Sequence, residues 1–342
     1  MVVVTPLIRI NTFASPAEMP LNRRKFLTLA SLSTVGVGLN HHRILAQSLQ
    51  AQPPIASLTP TPQWQFIAVG DVGTGDQAQY DVAQAMAQFH QHNPCSLALL
   101  AGDNIYDGGE MERIGEVFEQ PYGPLLQQGI TFHAVLGNHD VMSQRGEGQI
   151  RYPGFNMAGR YYTFTRDLVQ FFALDTNPGG HWPAQLRWLE AELAQSQAQW
   201  KIVLGHHPIY ASGLHSIKWE LASRLGPLLG TPKLHPGLGE QLTPLFAKYQ
   251  VQLYINGHEH HYERTQPIAG TTYLTCGVGA RLRPTGSSEW TAFASSTLGF
   301  AAIAVYDHQL VINGIGVNGQ PFDRGVITPT FIAQPSSPKI GV

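Results

Sequence analysis

The sequence predicts an α/β fold of two packed sheets flanked by helices, and three observations carry that prediction. From Trp64 to about His261, short apolar runs alternate with segments of helical period, the pattern of βα units. After His261 the apolar runs succeed one another without helices, the pattern of an antiparallel sheet. Five of the earlier runs end in glycine, and the residue after each glycine is a carboxylate, an amide or an imidazole. One such block is weak evidence; five in order along one chain are hard to obtain by chance.

The elements follow in order. Phe66 to Val69 and Gly70 lead to Asp71, with Gly73 just beyond. Gln77 to His90 carries Val82, Met86 and Phe89 on one helical face, and Pro94 closes it. Ala98 to Ala101 is a buried strand that stops at Gly102, and Asp103 and Tyr106 follow it. Asp71, helix and Asp103 therefore read as a βαβ crossover, with both carboxylates at strand carboxyl ends, where ligands collect in open sheets. Glu110 to Leu126 reads as a second helical segment with Pro121 interrupting it. Phe132 to Leu136 leads to Asn138, His139 and Asp140. Val169 to Leu174 is a strand, and Pro183 opens a helix that carries Leu186, Leu189 and Leu193. Ile202 to Leu204 leads to His206 and His207, a short helix spans Leu242 to Tyr249, and Leu253 to Asn256 leads to His258, Glu259, His260 and His261. Thr271 to Cys276, Phe300 to Tyr306 and Leu310 to Ile315 are strands, the last two joined as a hairpin by Asp307, His308 and Gln309.

Composition narrows the class. A chain of 342 residues, 43% of them hydrophobic, can bury a large core, and 13% charged residues argue against a coiled coil or a charged disordered chain. A net charge of −2 gives no electrostatic case for nucleic acid or an anionic membrane as partner. Cys95 and Cys276 could pair in an oxidising compartment, but nothing in their spacing brings them together, so two buried thiols are expected.

The organisation expected is an N-terminal segment over 1–46, a linker over 47–63, the folded domain over 64–330 and a tail over 331–342. Arg23 and Arg24, then Phe26 and a mild apolar run from Leu27 to Leu39, read as a twin-arginine (Tat) export signal with cleavage after Ala46. That run is too short and too weakly apolar for a stable membrane anchor. It implies the Tat export machinery as a partner and a periplasmic or secreted location. Met19 stands just before the signal, and translation is expected to start there. The proline-rich stretch after residue 47 reads as flexible linker.

The blocks Asp71-Val72-Gly73, Gly102-Asp103-Asn104-Ile105-Tyr106, Gly137-Asn138-His139-Asp140, Gly205-His206-His207 and Gly257-His258-Glu259-His260 together resemble the purple acid phosphatases of the metallophosphoesterase superfamily. The likeness is to the short, mammalian-like (tartrate-resistant) type and runs from about Gln65 to about Arg324. It implies a four-layer α/β/β/α sandwich of two mixed sheets, the calcineurin-like metallophosphoesterase fold. It implies Asp71, Tyr106 and His260 as ligands of an Fe(III), Asn138, His206 and His258 as ligands of a divalent Fe, Zn or Mn, and Asp103 as the bridge. His206 and His207 compete for one position, and the family pattern places the ligand directly after the glycine. By the same resemblance His139 contacts the substrate phosphate and helps the leaving group, and His215, nine residues past His206, stands where short members carry a second such histidine.

The residue types support this independently. Carboxylate, phenolate, amide and imidazole suit hard or borderline metals, and two metals a few ångströms apart clamp a phosphate ester. In an extended segment His258 and His260 point to opposite sides, one toward each metal. The trivalent and divalent charges exceed those of Asp71, Asp103 and a Tyr106 phenolate, so the centre stays positive and attracts phosphate. Asp140 is expected to orient His139, and His261 to face solvent. Arg281 and Arg283 could touch substrate, but no role is assigned to them. The segment from Asp175 to Gln185 is short where relatives carry a longer regulatory loop, which implies a more open site.

The function implied is an exported acid phosphatase that hydrolyses small-molecule phosphomonoesters by attack of a metal-bound hydroxide. Two alternatives are a metallophosphodiesterase with two divalent metals and a catalytically inactive extracellular binding protein. Tyr106 discriminates against the first, because the non-purple branches generally lack that phenol. The intact ligand set with His139 argues against the second.

Overall fold

The computed structural model describes residues 61–213 and 237–329. The export signal, most of the linker, His215 and the tail 331–342 lie outside the described residues. Those described hold thirteen strands: β1 (Trp64–Val69), β2 (Leu97–Leu100), β3 (Thr131–Ala134), β4 (Tyr162–Arg166), β5 (Val169–Ala173), β6 (Trp200–Leu204), β7 (Leu253–Asn256), β8 (Tyr262–Thr265), β9 (Thr272–Cys276), β10 (Thr291–Ser295), β11 (Gly299–Val305), β12 (Leu310–Gly316) and β13 (Pro321–Ile327). The principal helices are α1 (Gln77–His92), α2 (Gly123–Gln127), α3 (Glu147–Arg151), α4 (Trp182–Gln195) and α5 (Leu238–Tyr249).

Two mixed sheets result. One runs β13-β12-β11-β1-β2-β3 and the other β10-β8-β9-β7-β6-β5-β4. β1, β2 and β3 are parallel, as are β5, β6, β7 and β9, while β11 to β13 form the antiparallel run. This is the expected pair of sheets flanked by helices. Alternation along the second sheet shows why it lies between layers. Phe171, Ile202, Leu204, Leu253, Ile255 and Leu274 turn into the core shared with the first sheet. Their neighbours Phe172, Val203, Tyr254 and Tyr273 turn the other way, onto Leu189 and Leu193 of α4 and Leu242 and Phe246 of α5. A strand buried on both faces has a continuous apolar run as its sequence signature. α1 starts where the Asp76 side chain accepts from the Gln79 N–H, and it buries Val82 and Met86.

The expected helix over Glu110 to Leu126 is broken. A tight turn at Met111–Arg113, a widened turn at Gly115–Glu119 and then α2 replace it. Pro121 and Pro124 offer no backbone N–H, and Gly115 and Gly123 resist helix. Four strands were not expected: β4, β8, β10 and β13. β4 and β10 lie at the edges of the second sheet, and β13 at an edge of the first. Part of each faces water, so their residues are mixed in polarity and carry no apolar run. Cys95 and Cys276 are free and buried.

Candidate metal centre

The five glycine-terminated strands bring their next residues to one place, and the glycines explain how. Gly102 has φ +84°, and a Cβ there would lie 2.5 Å from Nδ1 of His206. A Cβ on Gly137 would lie 2.1 Å from Oδ1 of Asp103. His206 and Asp103 each fill the space that a neighbouring strand's glycine leaves. Asp71, Asp103 and His258 themselves stand at φ 58°, 54° and 69°, in the left-handed region. Such backbone is costly and collects at functional sites. The sheets are tied together here as well: the His258 N–H donates to Asp71 Oδ2 at 2.8 Å, and the Gly70 N–H to the Cys276 carbonyl at 3.0 Å.

The donor atoms form two sets. In the first, the Tyr106 hydroxyl lies 3.1 Å from Asp71 Oδ1, 2.9 Å from Asp103 Oδ2 and 3.2 Å from His260 Nε2, and His260 Nε2 lies 3.3 Å from Asp71 Oδ1. In the second, Asn138 Oδ1 lies 3.1 Å from His206 Nε2 and 2.9 Å from His258 Nδ1. The two imidazole nitrogens are 3.3 Å apart, and His206 Nε2 is 3.5 Å from Asp103 Oδ1. Asp103 gives one oxygen to each set.

The chemistry of the sets fits cations. Ligands held about 2.0–2.2 Å from a metal lie about 3–3.5 Å from one another, and these separations fall there. The second set makes the stronger case. His206 Nδ1 faces the Ala101 carbonyl at 2.8 Å, so a neutral ring carries its proton there. Its Nε2 is then a bare lone pair aimed at an amide oxygen and a carboxylate. A positive charge among these atoms would stabilise the convergence of their lone pairs. The same arrangement moves the titrations. Burial works against the imidazolium of His206, but the charges of Asp103 and Asp71 outweigh it and hold its pKa above the usual value. For Asp71 burial favours the neutral acid, but the His260 hydrogen bond and the charges of His206 and His260 bring the net pKa below normal. Burial, then the carboxylates of Asp71 and Asp103, raise the Tyr106 phenol far above its ordinary value.

The other expectations fare differently. His207 also brings a ring nitrogen within 4.8 Å of nitrogens of His206 and His258. Its Nδ1, however, is 2.9 Å from the Thr176 hydroxyl, which also accepts from the backbone N–H of both His206 and His207. His139 takes its orientation from the Asp107 carbonyl, 2.5 Å from Nδ1, and its ring centroid lies 4.5 Å from that of Tyr106. Asp140 is therefore not the residue that orients His139. It is buried and accepts from the N–H groups of Asn104, Ile105 and Gly137 and from the Gln149 amide. Burial, then repulsion by Asp103, raise its pKa to about 6. It braces the Asp103 turn against the Asn138 turn.

His261 does not face solvent: it is fully buried, with Nε2 3.2 Å from Glu263 and Nδ1 3.9 Å from Glu259. Ser212, through its N–H and its hydroxyl, and Thr291 also donate to Glu263. His258 and His260 do part toward different sets, but through a turn with His258 left-handed and not along an extended strand. Arg281, named from sequence as a residue that could touch substrate but given no role, is a neighbour of the site: its guanidinium carbon stands 4.6 Å over the Tyr106 ring.

Comparison with known proteins agrees with this geometry. The profile of the calcineurin-like phosphoesterases matches residues 65–262. Purple acid phosphatase 17 of Arabidopsis thaliana is 29% identical over 250 residues, 63% of this chain and 68% of that protein. Tartrate-resistant acid phosphatase type 5 of Mus musculus is 28% identical over 263 residues, 66% of this chain and 75% of that protein. In fold, the chain is similar to purple acid phosphatase PPD1 from yellow lupin seeds, with a TM-score of 0.64 at 19% identity, over 78% of this chain and 53% of that one. With a profile matched across more than half its length and both donor sets in place, the chain belongs to the calcineurin-like phosphoesterase family, whose members with purple acid phosphatase character are among its relatives.

Proposed function

We propose that this protein is an exported acid phosphatase that hydrolyses phosphomonoesters, with an Fe(III) in the set of Asp71, Tyr106 and His260 and a divalent Fe, Zn or Mn in that of Asn138, His206 and His258. The observation that carries this reading is the Tyr106 hydroxyl, buried within 3.2 Å of three other donors of its set. A phenol is a poor ligand until it is ionised, and only a strong Lewis acid ionises one that its surroundings hold protonated. Cations in the two sets would polarise a phosphoryl group and lower the pKa of water.

The chain's own residues do the rest. Asp103 sets the spacing of the sets, because its two oxygens are fixed separately, by Tyr106 on one side and by the His139 N–H at 3.0 Å on the other. His139, with Nδ1 held by Asp107, presents Nε2 as the atom that gives a proton to the departing alcohol. His215 is proposed as a second such donor. Thr176 and His207 hold the His206 turn in place.

The test is hydrolysis of a chromogenic phosphomonoester and of the matching diester by the metal-loaded full chain, with and without a chelator. Chelator-sensitive turnover that favours the monoester supports the reading. Preference for the diester would favour the phosphodiesterase, and no turnover of either would favour a binding protein.

Two further outcomes are expected. Asn138→Ala should lose the second metal before the first, because it removes one of the groups unique to that set while Asp71, Tyr106 and His260 stay intact. Metal analysis showing two metals per chain at full occupancy would contradict the role given to Asn138. The twin arginines should be needed for export of folded, metal-loaded protein. Arg23→Lys with Arg24→Lys should trap active enzyme in the cytoplasm, and normal export of the double variant would refute the Tat route.

A further inference from the structure

Arg281 is a cation at the edge of the centre that the proposed reaction does not use. It follows β9 in the segment Gly277 to Arg283, and backbone bonds pin that segment on both sides. The Gly279 N–H donates to the Gly70 carbonyl at 3.1 Å, one residue before Asp71. The Arg283 N–H donates to the His260 carbonyl at 2.8 Å, and the Arg283 guanidinium to the His258 carbonyl at 3.2 Å. Between these anchors the Arg281 guanidinium stands 4.6 Å over the ring of Tyr106. The hydroxyl of that ring belongs to the first donor set, so the cation lies about one ring's width from it.

Its charge is loosely engaged. Among the described residues the anionic partner of Arg281 is Asp107, at a single contact of 3.5 Å, with the Arg281 side chain 43% and the Asp107 side chain 83% exposed. Exposed single-contact pairs of this kind are weak and exchangeable. The backbone of Asp107 is anchored, because its carbonyl holds His139 Nδ1. Its carboxylate can therefore swing away without disturbing the site. A guanidinium carried on an anchored backbone, with a displaceable carboxylate on it, is the arrangement of an anion site with a built-in competitor.

We propose that Arg281 holds the inner phosphate of an organic diphosphate while the terminal phosphoryl group is hydrolysed at the two donor sets, a proposal that rests on the phosphatase reading above. Arginine suits the task because its planar fork matches two phosphate oxygens at once. The reaction is hydrolysis. The oxygen of water forms the new bond to the terminal phosphorus, and the bond from that phosphorus to the bridging oxygen breaks. The electron pair leaves on the inner phosphate, and the water's proton passes to solvent. The products are an organic monophosphate and inorganic phosphate. A phosphate leaving group is weakly basic, so neutralisation by Arg281 takes the place of protonation by His139.

The test compares an alkyl diphosphate with the alkyl monophosphate of the same alcohol, using the metal-loaded full chain. Arg281→Ala should lower the ratio of kcat/KM for diphosphate over monophosphate by about 10–100-fold, the scale of a hydrogen-bonded charge, and mainly through KM. Arg281→Lys should recover part of that ratio, since a point charge remains. Asp107→Asn should move the ratio the other way, by about two- to fivefold, because it removes a weak competitor. An unaltered ratio in Arg281→Ala, or a fall in Asp107→Asn that matches it, would overturn the proposal. Should the wild type hydrolyse neither ester, the phosphatase reading fails by itself. Calorimetric titration with the same two compounds then decides on Arg281: tighter binding of the diphosphate that disappears in Arg281→Ala supports the site, and equal binding refutes it.

Discussion

Iron-loaded, oxidised protein is expected to be purple to pink, and the Tyr106→Phe variant to be colourless. A free tyrosine has a pKa of about 10. Here burial and the neighbouring carboxylates of Asp71 and Asp103 push the phenol well above that. A strong Lewis acid such as Fe(III) in direct contact would ionise it against such surroundings, and a phenolate on Fe(III) absorbs visible light by charge transfer. Phenylalanine keeps the ring that packs 4.5 Å from His139 and 4.6 Å from Arg281, so the fold should hold. Without the phenolate the iron should be easier to reduce and to lose. Activity should survive in part, since Asp103 and both histidine-bearing turns remain. Spectra of wild type and variant, both iron-loaded and oxidised, make the check. A wild type that is colourless with two divalent metals would move the assignment to a phosphodiesterase. A variant as purple as the wild type would mean that another tyrosine supplies the phenolate.

His139→Ala should keep both metals and lower turnover by about 10²–10⁴-fold, the usual contribution of a positioned general acid. Metal retention is expected because the imidazole belongs to neither donor set. The contact that His139 does make with Asp103 comes from its backbone N–H, at 3.0 Å, and alanine keeps it. The loss should shrink for esters whose leaving groups need no proton. Rates for a series of aryl and alkyl phosphates, with metal content measured in parallel, test this. An equal loss across the series would assign His139 to phosphate binding. Loss of metal would make it a structural support of Asn138.

How much of this was legible beforehand divides along a physical line. Each donor of the two sets directly follows, or stands within four residues of, a strand-ending glycine, so strand, turn and side chain are encoded in one short stretch. The blocks were therefore legible, their resemblance to the purple acid phosphatases implied Asp71, Asp103, Tyr106, Asn138, His206, His258 and His260, and all seven meet in the structure. The broken helix after Glu110 was visible only as Pro121. The edge strands β4 and β10 were invisible, because a strand wetted on one side carries no continuous apolar run.

The sequence by itself determined the apolar strands within the sheets, the types of the donor residues and their order, because these depend on patterns a few residues long. Only the tertiary structure decided the partners that come from far along the chain. His261 looks like an ordinary polar residue until Glu263 receives Ser212 and Thr291, and the turn closes over it. Asp140 sits beside His139 in sequence but bonds to Asn104, Ile105 and Gln149, because a buried carboxylate must take whichever N–H groups the fold brings to it. Arg281 reaches Tyr106, far earlier in the chain, because backbone bonds to Gly70 and His260 carry its loop there. A buried polar group is satisfied by contacts in space, and sequence periodicity holds no record of those contacts.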